Sequence, residues 1–212
     1  TILGLGLTGF LGRQVIGKPA PRLHSLNIPL LSDIPVIGTI LFKHDILVYT
    51  SLILSFMMWF ILFKTRPGLN IRSVGENPSM ADALGVNVVL ARYVCVMIGG
   101  MLAGLSGAFL SLSYTPLWID GMTRGRGWIV IALVILATWN PLRAILGAYL
   151  FGGVDALQFR LQAMGFGTGF PPLLAMLPYA STIVVLTLLS FESLKKRIGV
   201  PSALGIPYRR EE

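Results

Sequence analysis

The chain has 212 residues, 54% of them apolar and 12% charged, with a mean hydropathy of +0.76 and a formal net charge of +8. That balance excludes a soluble globular domain, whose charged fraction is about twice as high. The excess of Lys and Arg does not predict a nucleic-acid partner, because these residues are scattered along loops and no soluble basic domain carries them.

The first stretch, Thr1 to Gly12, is apolar, too short to cross a bilayer, and lacks the basic start of a signal peptide. It reads as a severed span, so residues 1–191 are expected to be the C-terminal part of a larger transmembrane domain. Gly4-Leu5-Gly6-Leu7-Thr8-Gly9 matches a dinucleotide fingerprint, and Gly12 to Lys18 nearly matches a phosphate-binding loop. No strand precedes the first, and Pro19 stands where the second needs a hydroxyl for magnesium, so the glycines read as helix packing and no cofactor is expected. In the following loop, His24 and His44 lie with Asp33 and Asp45 at spacings that define no metal site.

Ile46 to Phe63 is uncharged between Asp45 and Lys64. As a helix it extends about 27 Å, close to the thickness of a hydrocarbon core. The polar loop Lys64 to Arg92 follows, and it contains a complete helix signal. Asn77 suits an N-cap, Pro78 the first helical position and Gly85 a left-handed stop. A helix of about two turns is marginal by itself, so the face bearing Met80, Ala81 and Leu84 is expected to rest on a partner protein.

Tyr93 to Thr115 and Leu173 to Phe191 pass the same length test. Gly100, Gly104 and Gly107 give the first a smooth face suited to a close helix crossing. Cys95, the single cysteine, lies in that span and reads as a small buried thiol; no disulfide is possible. Between the two spans, Trp128 to Thr138 and Ala144 to Leu157 flank the break Trp139-Asn140-Pro141-Leu142-Arg143, where Pro141 removes a backbone donor. This pattern predicts a re-entrant hairpin, or two tilted spans. Irregular backbone at membrane depth is tolerated where it lines a pathway, which makes Asn140, Asp155 and Gln158 the candidate translocation residues. Asp155 serves there as a helix-positioning acceptor or a substrate contact, Arg143 marks the hairpin tip, and Gln162 lies one turn beyond Gln158. The expected fold is an all-α membrane protein, a polytopic helix bundle with a broken or re-entrant hairpin.

Charge sets the orientation. Lys64, Arg66, Arg72 and Arg92 flank two span ends, and Lys195, Lys196, Arg197, Arg209 and Arg210 follow the last span. Both groups are expected inside, with residues 192–212 as a cytoplasmic tail, and an even number of crossings between them satisfies this. Arg13 to Asp45, Pro116 to Gly127 and Gln158 to Pro172 are then external. HExxH, GxSxG and any Ser, His and carboxylate grouping are lacking, so no catalytic residue is assigned and the chain is not expected to be an enzyme.

Arg72-Ser73-Val74-Gly75-Glu76-Asn77-Pro78, running into Ala81-Asp82-Ala83-Leu84-Gly85-Val86-Asn87-Val88, resembles the cytoplasmic loop of bacterial ABC importer permeases serving simple sugars, nucleosides and branched-chain amino acids. Gly99 to Gly104, Gly121 to Gly127, Trp139 to Leu142 and Asp155 to Gln158 extend the likeness, the last two most like the nucleoside and simple-sugar branch. The resemblance implies that residues 64–92 form a coupling loop. In it Glu76, Asn77, Pro78, Met80, Ala81, Leu84 and Gly85 would engage cytoplasmic ATPase subunits, which alone handle ATP. It further implies a second permease subunit, an extracytoplasmic solute-binding protein that meets loops including Pro116 to Gly127, and a bacterial cell membrane. From the residues themselves, an ion-coupled secondary transporter or channel working through the hairpin, or a membrane scaffold, remain alternatives.

Overall fold

The computed structural model describes residues 2–20, 25–27, 43–119, 121–123, 125–166, 171–189 and 200–209. His24, Asp33, Arg124, Lys195, Lys196, Arg197, Arg210 and the end of the last span at Phe191 lie outside them. In chain order the elements are α1 (Ile2–Gly12), β1 (Ser25–Asn27), β2 (Lys43–Asp45), α2 (Ile46–Lys64), α3 (Arg66–Glu76), α4 (Pro78–Ala83) and α5 (Val88–Phe109), which continues as a π turn (Leu110–Tyr114). Then come α6 (Arg126–Leu136), α7 (Pro141–Ala163), α8 (Pro171–Ala175) and α9 (Leu177–Leu189). Helices dominate, in keeping with the all-α expectation. The antiparallel pair β1–β2, with Ser25 opposite Asp45, falls where the sequence suggested only a loop.

Ile46–Lys64 and Val88–Tyr114 are long and apolar enough to cross a bilayer. No residue of α2 is buried within the chain, so its apolar side chains require lipid or another protein around them. The third expected span is divided. Helix α8 ends at Ala175 and α9 begins at Leu177, because Pro178 lacks the N–H that would bond back across the junction. The second arm of the hairpin is longer than its apolar run: α7 has 23 residues and α6 has 11. At 1.5 Å per residue these are about 34 Å and about 17 Å. Cys95, expected to be buried, is exposed on α5, where no described residue covers it.

Two compact units are formed. In the first (Thr1–Leu54 with Tyr93–Arg124), the chain turns at residues 13–15 and residues 16–20 then lie beside 116–118, with Gly17 N–H donating to the Trp118 carbonyl at 3.2 Å and Ala20 N–H to Pro116 at 2.9 Å. The stretch that mimics a phosphate-binding loop is thus occupied by its own chain. The π turn is made by Thr115 N–H bonding five residues back to Leu110 (2.9 Å), and Ser113 within it donates to the Asp45 carboxylate.

The second unit holds Ser55–Arg92 with Gly125–Glu212. In it α6, α7 and α9 pack on one another. Gly147 of α7 lies against Leu133 and Leu136 of α6, where an added Cβ would come within 3.2 Å and 3.3 Å of their side chains. The rest of this unit is the segment 66–92, described next.

Candidate functional site

Residues 64–92 contain more helix than the sequence suggested. Before the capped helix comes α3, which Thr65 caps by accepting the Gly68 N–H at 3.4 Å, with Pro67 in its first turn. The turn from α2 into α3 is tight: a Cβ on Gly68 would fall 2.0 Å from the Ile61 carbonyl oxygen and 2.6 Å from Leu62 Cα. Arg72 lies over the Phe63 ring at 4.9 Å, covering the end of α2 with a cation–π contact.

Helix α4 begins and ends at the residues its sequence designates. Asn77 Oδ1 accepts the Met80 N–H at 3.0 Å, Pro78 is the first helical residue, and Gly85 has φ +85°. At the C-terminus Gly85 N–H reaches the Asp82 carbonyl (2.8 Å) and Val86 N–H the Ala81 carbonyl (3.0 Å), the paired bonds of a Schellman stop. Asn87 then caps α5 by accepting from Leu90 N–H at 2.9 Å. The Asn77 cap and the Gly85 stop therefore fix the two ends of a helix of six residues.

The expected single face of Met80, Ala81 and Leu84 is split. Ala81 is 1% exposed and packs in a cluster with Val74 of α3 and Val88 of α5, joined by Val86, Ala91 and Tyr208. Met80 and Leu84, four residues apart and on one face, are 65% and 82% exposed. Ala81 anchors the helix inward while Met80 and Leu84 project from it. In a segment so short, spacing alone does not say which side the chain itself will cover.

The C-terminal segment 200–209 lies against this site. Ser202 donates to Glu76 Oε1 at 2.5 Å, Ala203 N–H to the Gly75 carbonyl at 3.0 Å, and the Tyr208 hydroxyl to Asp82 Oδ2 at 2.9 Å. Arg92 donates to the Ile206 carbonyl at 3.4 Å and lies over the Tyr208 ring at 6.0 Å. Sequence reasoning missed Ser202, Tyr208 and Asp82. Their pairing spans 126 residues, and the one local hint was an aromatic residue in a polar tail.

At the hairpin, Asn140 Oδ1 accepts the Leu142 N–H at 3.0 Å and so caps α7. Thr138 and Trp139 both have positive φ, 51° and 55°, a conformation costing non-glycine residues about 1–3 kcal/mol each. Arg143 reaches back to donate to Thr138 Oγ1 at 2.6 Å and braces that turn. Asp155 meets Arg126, from the first turn of α6, at 3.4 Å, and Gln158 is buried at 8% exposure. The Arg126 and Asp155 side chains are 36% and 26% exposed, so the pair is partly screened. Asp155→Ala should cost about 1–2 kcal/mol in thermal unfolding, and a cycle with Arg126→Ala should return a coupling energy above about 0.5 kcal/mol. Strict additivity would reject the pair. No described heavy atom lies within 4 Å of a Cβ added at Gly100, Gly104 or Gly107, so the smooth face of α5 is left uncovered by the described residues.

The family described as branched-chain amino acid transport system / permease component matches residues 12–189. The chain is similar to a putative glucose ABC transporter permease protein, TsgC13, of Haloferax volcanii, at 38% identity over all of this chain and 70% of that protein. It is similar to the guanosine ABC transporter permease protein NupQ of Bacillus subtilis, at 36% identity over 98% of this chain and 66% of that protein. The nucleoside ABC transporter permease protein NupC of Lactococcus lactis is 40% identical over 86% of this chain, which spans 56% of NupC. No solved structure matches.

Proposed function

The chain belongs to the branched-chain amino acid transport system permease component family, and on that premise we propose that it works as the membrane-spanning subunit of an ATP-binding-cassette importer for a nucleoside or a simple sugar. Components of this family are permeases, and ATP is hydrolysed in separate subunits, so no catalytic role falls to any residue here. The observation that carries the mechanism is α4, a doubly capped helix whose Met80 and Leu84 are exposed while Ala81 is held by the chain itself. On this reading α4 is the coupling helix and presents Met80 and Leu84 to a groove of a cytoplasmic ATPase. Asn77, Pro78 and Gly85 set where it starts and stops, and Glu76 stands just before its N-cap. Closure of two ATPases on ATP moves two such helices as rigid bodies and alternates access across the membrane.

Residues 1–191 then form the permease domain and 192–212 a tail on the same cytoplasmic side as the coupling loop 64–92. The uncovered face at Gly100, Gly104 and Gly107 is assigned to the second permease subunit, and Pro116 to Gly127 to the solute-binding protein. Along the path through the broken hairpin, Gln158 is the residue left to meet solute. Asn140 is engaged in capping and Asp155 in its ion pair.

The test uses proteoliposomes holding the protein with its second permease subunit, ATPase and binding protein. Labelled guanosine and glucose should show uptake of at least one that requires ATP and is indifferent to collapse of proton and sodium gradients. Uptake that follows an ion gradient and ignores ATP would reject the importer and identify a secondary transporter working at the hairpin break.

A further inference from the structure

Helix α4 has six residues, fewer than an isolated helix needs to persist in water. Its own caps fix its ends, but they do not fix its direction relative to α3 and α5. That direction decides whether a push on Met80 and Leu84 reaches the start of a membrane span or is lost in a local tilt.

The C-terminal segment supplies what the caps lack. Its backbone joins the end of α3 at Gly75, and the Ser202 hydroxyl takes Glu76. The Tyr208 ring enters the Val74, Ala81 and Val88 cluster while its hydroxyl holds Asp82 of α4. Arg92 of α5 closes the arrangement by bonding the Ile206 carbonyl and lying over the same ring. One short segment therefore contacts all three helices around the site, with a hydrogen bond to each, and two of those bonds go to carboxylates, the stronger kind.

We propose that residues 200–208 are a strap that positions α4, with Tyr208 and Ser202 as positioning residues, so that force applied at Met80 and Leu84 passes into α5. The inference rests on the coupling reading above. The strap acts through Asp82 and Glu76 and does not itself enter the ATPase groove.

The unsubstituted protein, assembled with its partners in nanodiscs and proteoliposomes, is compared with Tyr208→Phe, Tyr208→Ala, Ser202→Ala and Leu84→Asp. Amide hydrogen exchange at Ala81, Leu84, Gly85 and Val86 should quicken about tenfold in Tyr208→Ala and severalfold in Tyr208→Phe and Ser202→Ala. Amides of α6, remote from the tail's contacts, should exchange as in the parent. Solute taken up per ATP hydrolysed should fall in the same order, with ATPase binding retained, and Asp82→Asn should add little to Tyr208→Phe. Two results overturn the strap: α4 exchange unchanged in Tyr208→Ala, or faster exchange with the uptake-to-ATP ratio intact while Leu84→Asp is inactive. If Leu84→Asp also transports normally, the coupling reading fails and the strap's role fails with it.

Discussion

Leu84→Asp should lower ATP-driven uptake by about a hundredfold while leaving the protein inserted, folded and as heat-stable as the parent. Two features of the site separate these outcomes. Leu84 is 82% exposed and sits at the C-cap of α4 with φ −85° and ψ 6°, a conformation open to aspartate. Its replacement removes no intramolecular packing, and exposed substitutions of this kind stay within about 0.5 kcal/mol of the parent. In the docked complex the same side chain enters an apolar groove, where an unpaired carboxylate must lose its water. With the lost leucine contact, the penalty is about 3 kcal/mol, or about a hundredfold in the coupled population. Ala81→Asp is the contrast: at 1% exposure among Val74 and Val88, it should unfold the segment and reduce the amount of protein recovered. Flotation, thermal unfolding and uptake measured on both variants tell loss of docking from loss of fold. Full uptake by Leu84→Asp would remove α4 from the coupling pathway.

How much of this was legible in the sequence follows from the range over which each signal acts. The caps of α4 were readable because Asn77, Pro78 and Gly85 act on backbone groups within a few residues of themselves. Two of the three expected spans were readable from unbroken apolar runs, and the break before α7 from Pro141. Helix α3 was missed because its sequence, Arg-Pro-Gly-Leu-Asn-Ile-Arg-Ser-Val-Gly-Glu, contains two glycines and a proline and reads as a turn. Its start is marked only by the Thr65 cap and by Pro67 in the first turn. Ala81 turns inward into a cluster that Tyr208 joins from the C-terminal segment, and Asp155 pairs with Arg126, 29 residues away. No periodicity encodes contacts of that range. The charges of Arg143 and Asp155 are each met by a different neighbour: a threonine in the strained turn and an arginine on the adjoining helix.

Gly68→Ala should be the most damaging single-methyl change in this segment. Helix propensity by itself predicts the opposite, since alanine is favoured over glycine by about 1 kcal/mol inside a helix. At Gly68 the new methyl would stand 2.0 Å from the Ile61 carbonyl oxygen and 2.6 Å from Leu62 Cα. Both are backbone atoms of α2, so no side-chain rotation can relieve the overlap. The corner itself must open, breaking the Thr65 hydroxyl bond to the Ile61 carbonyl (2.6 Å) and shifting the cap that begins α3. Overpacking against a rigid neighbour costs about 1–3 kcal/mol and more when backbone must move, so a net loss of about 3 kcal/mol is expected after the propensity gain. Gly75→Ala provides the matched control on the same helix, because there the methyl meets Pro201 Cβ at 3.6 Å, an ordinary contact. That variant should be neutral or stabilised by up to about 1 kcal/mol. The two substitutions thus have the same chemistry and opposite signs in a thermal-unfolding comparison. The displaced corner also swings α3 and, through Asn77, the start of α4, so uptake by Gly68→Ala should fall along with its stability. A Gly68→Ala protein melting at or above the Gly75→Ala variant would mean that α2 and α3 do not meet as closely as this corner requires.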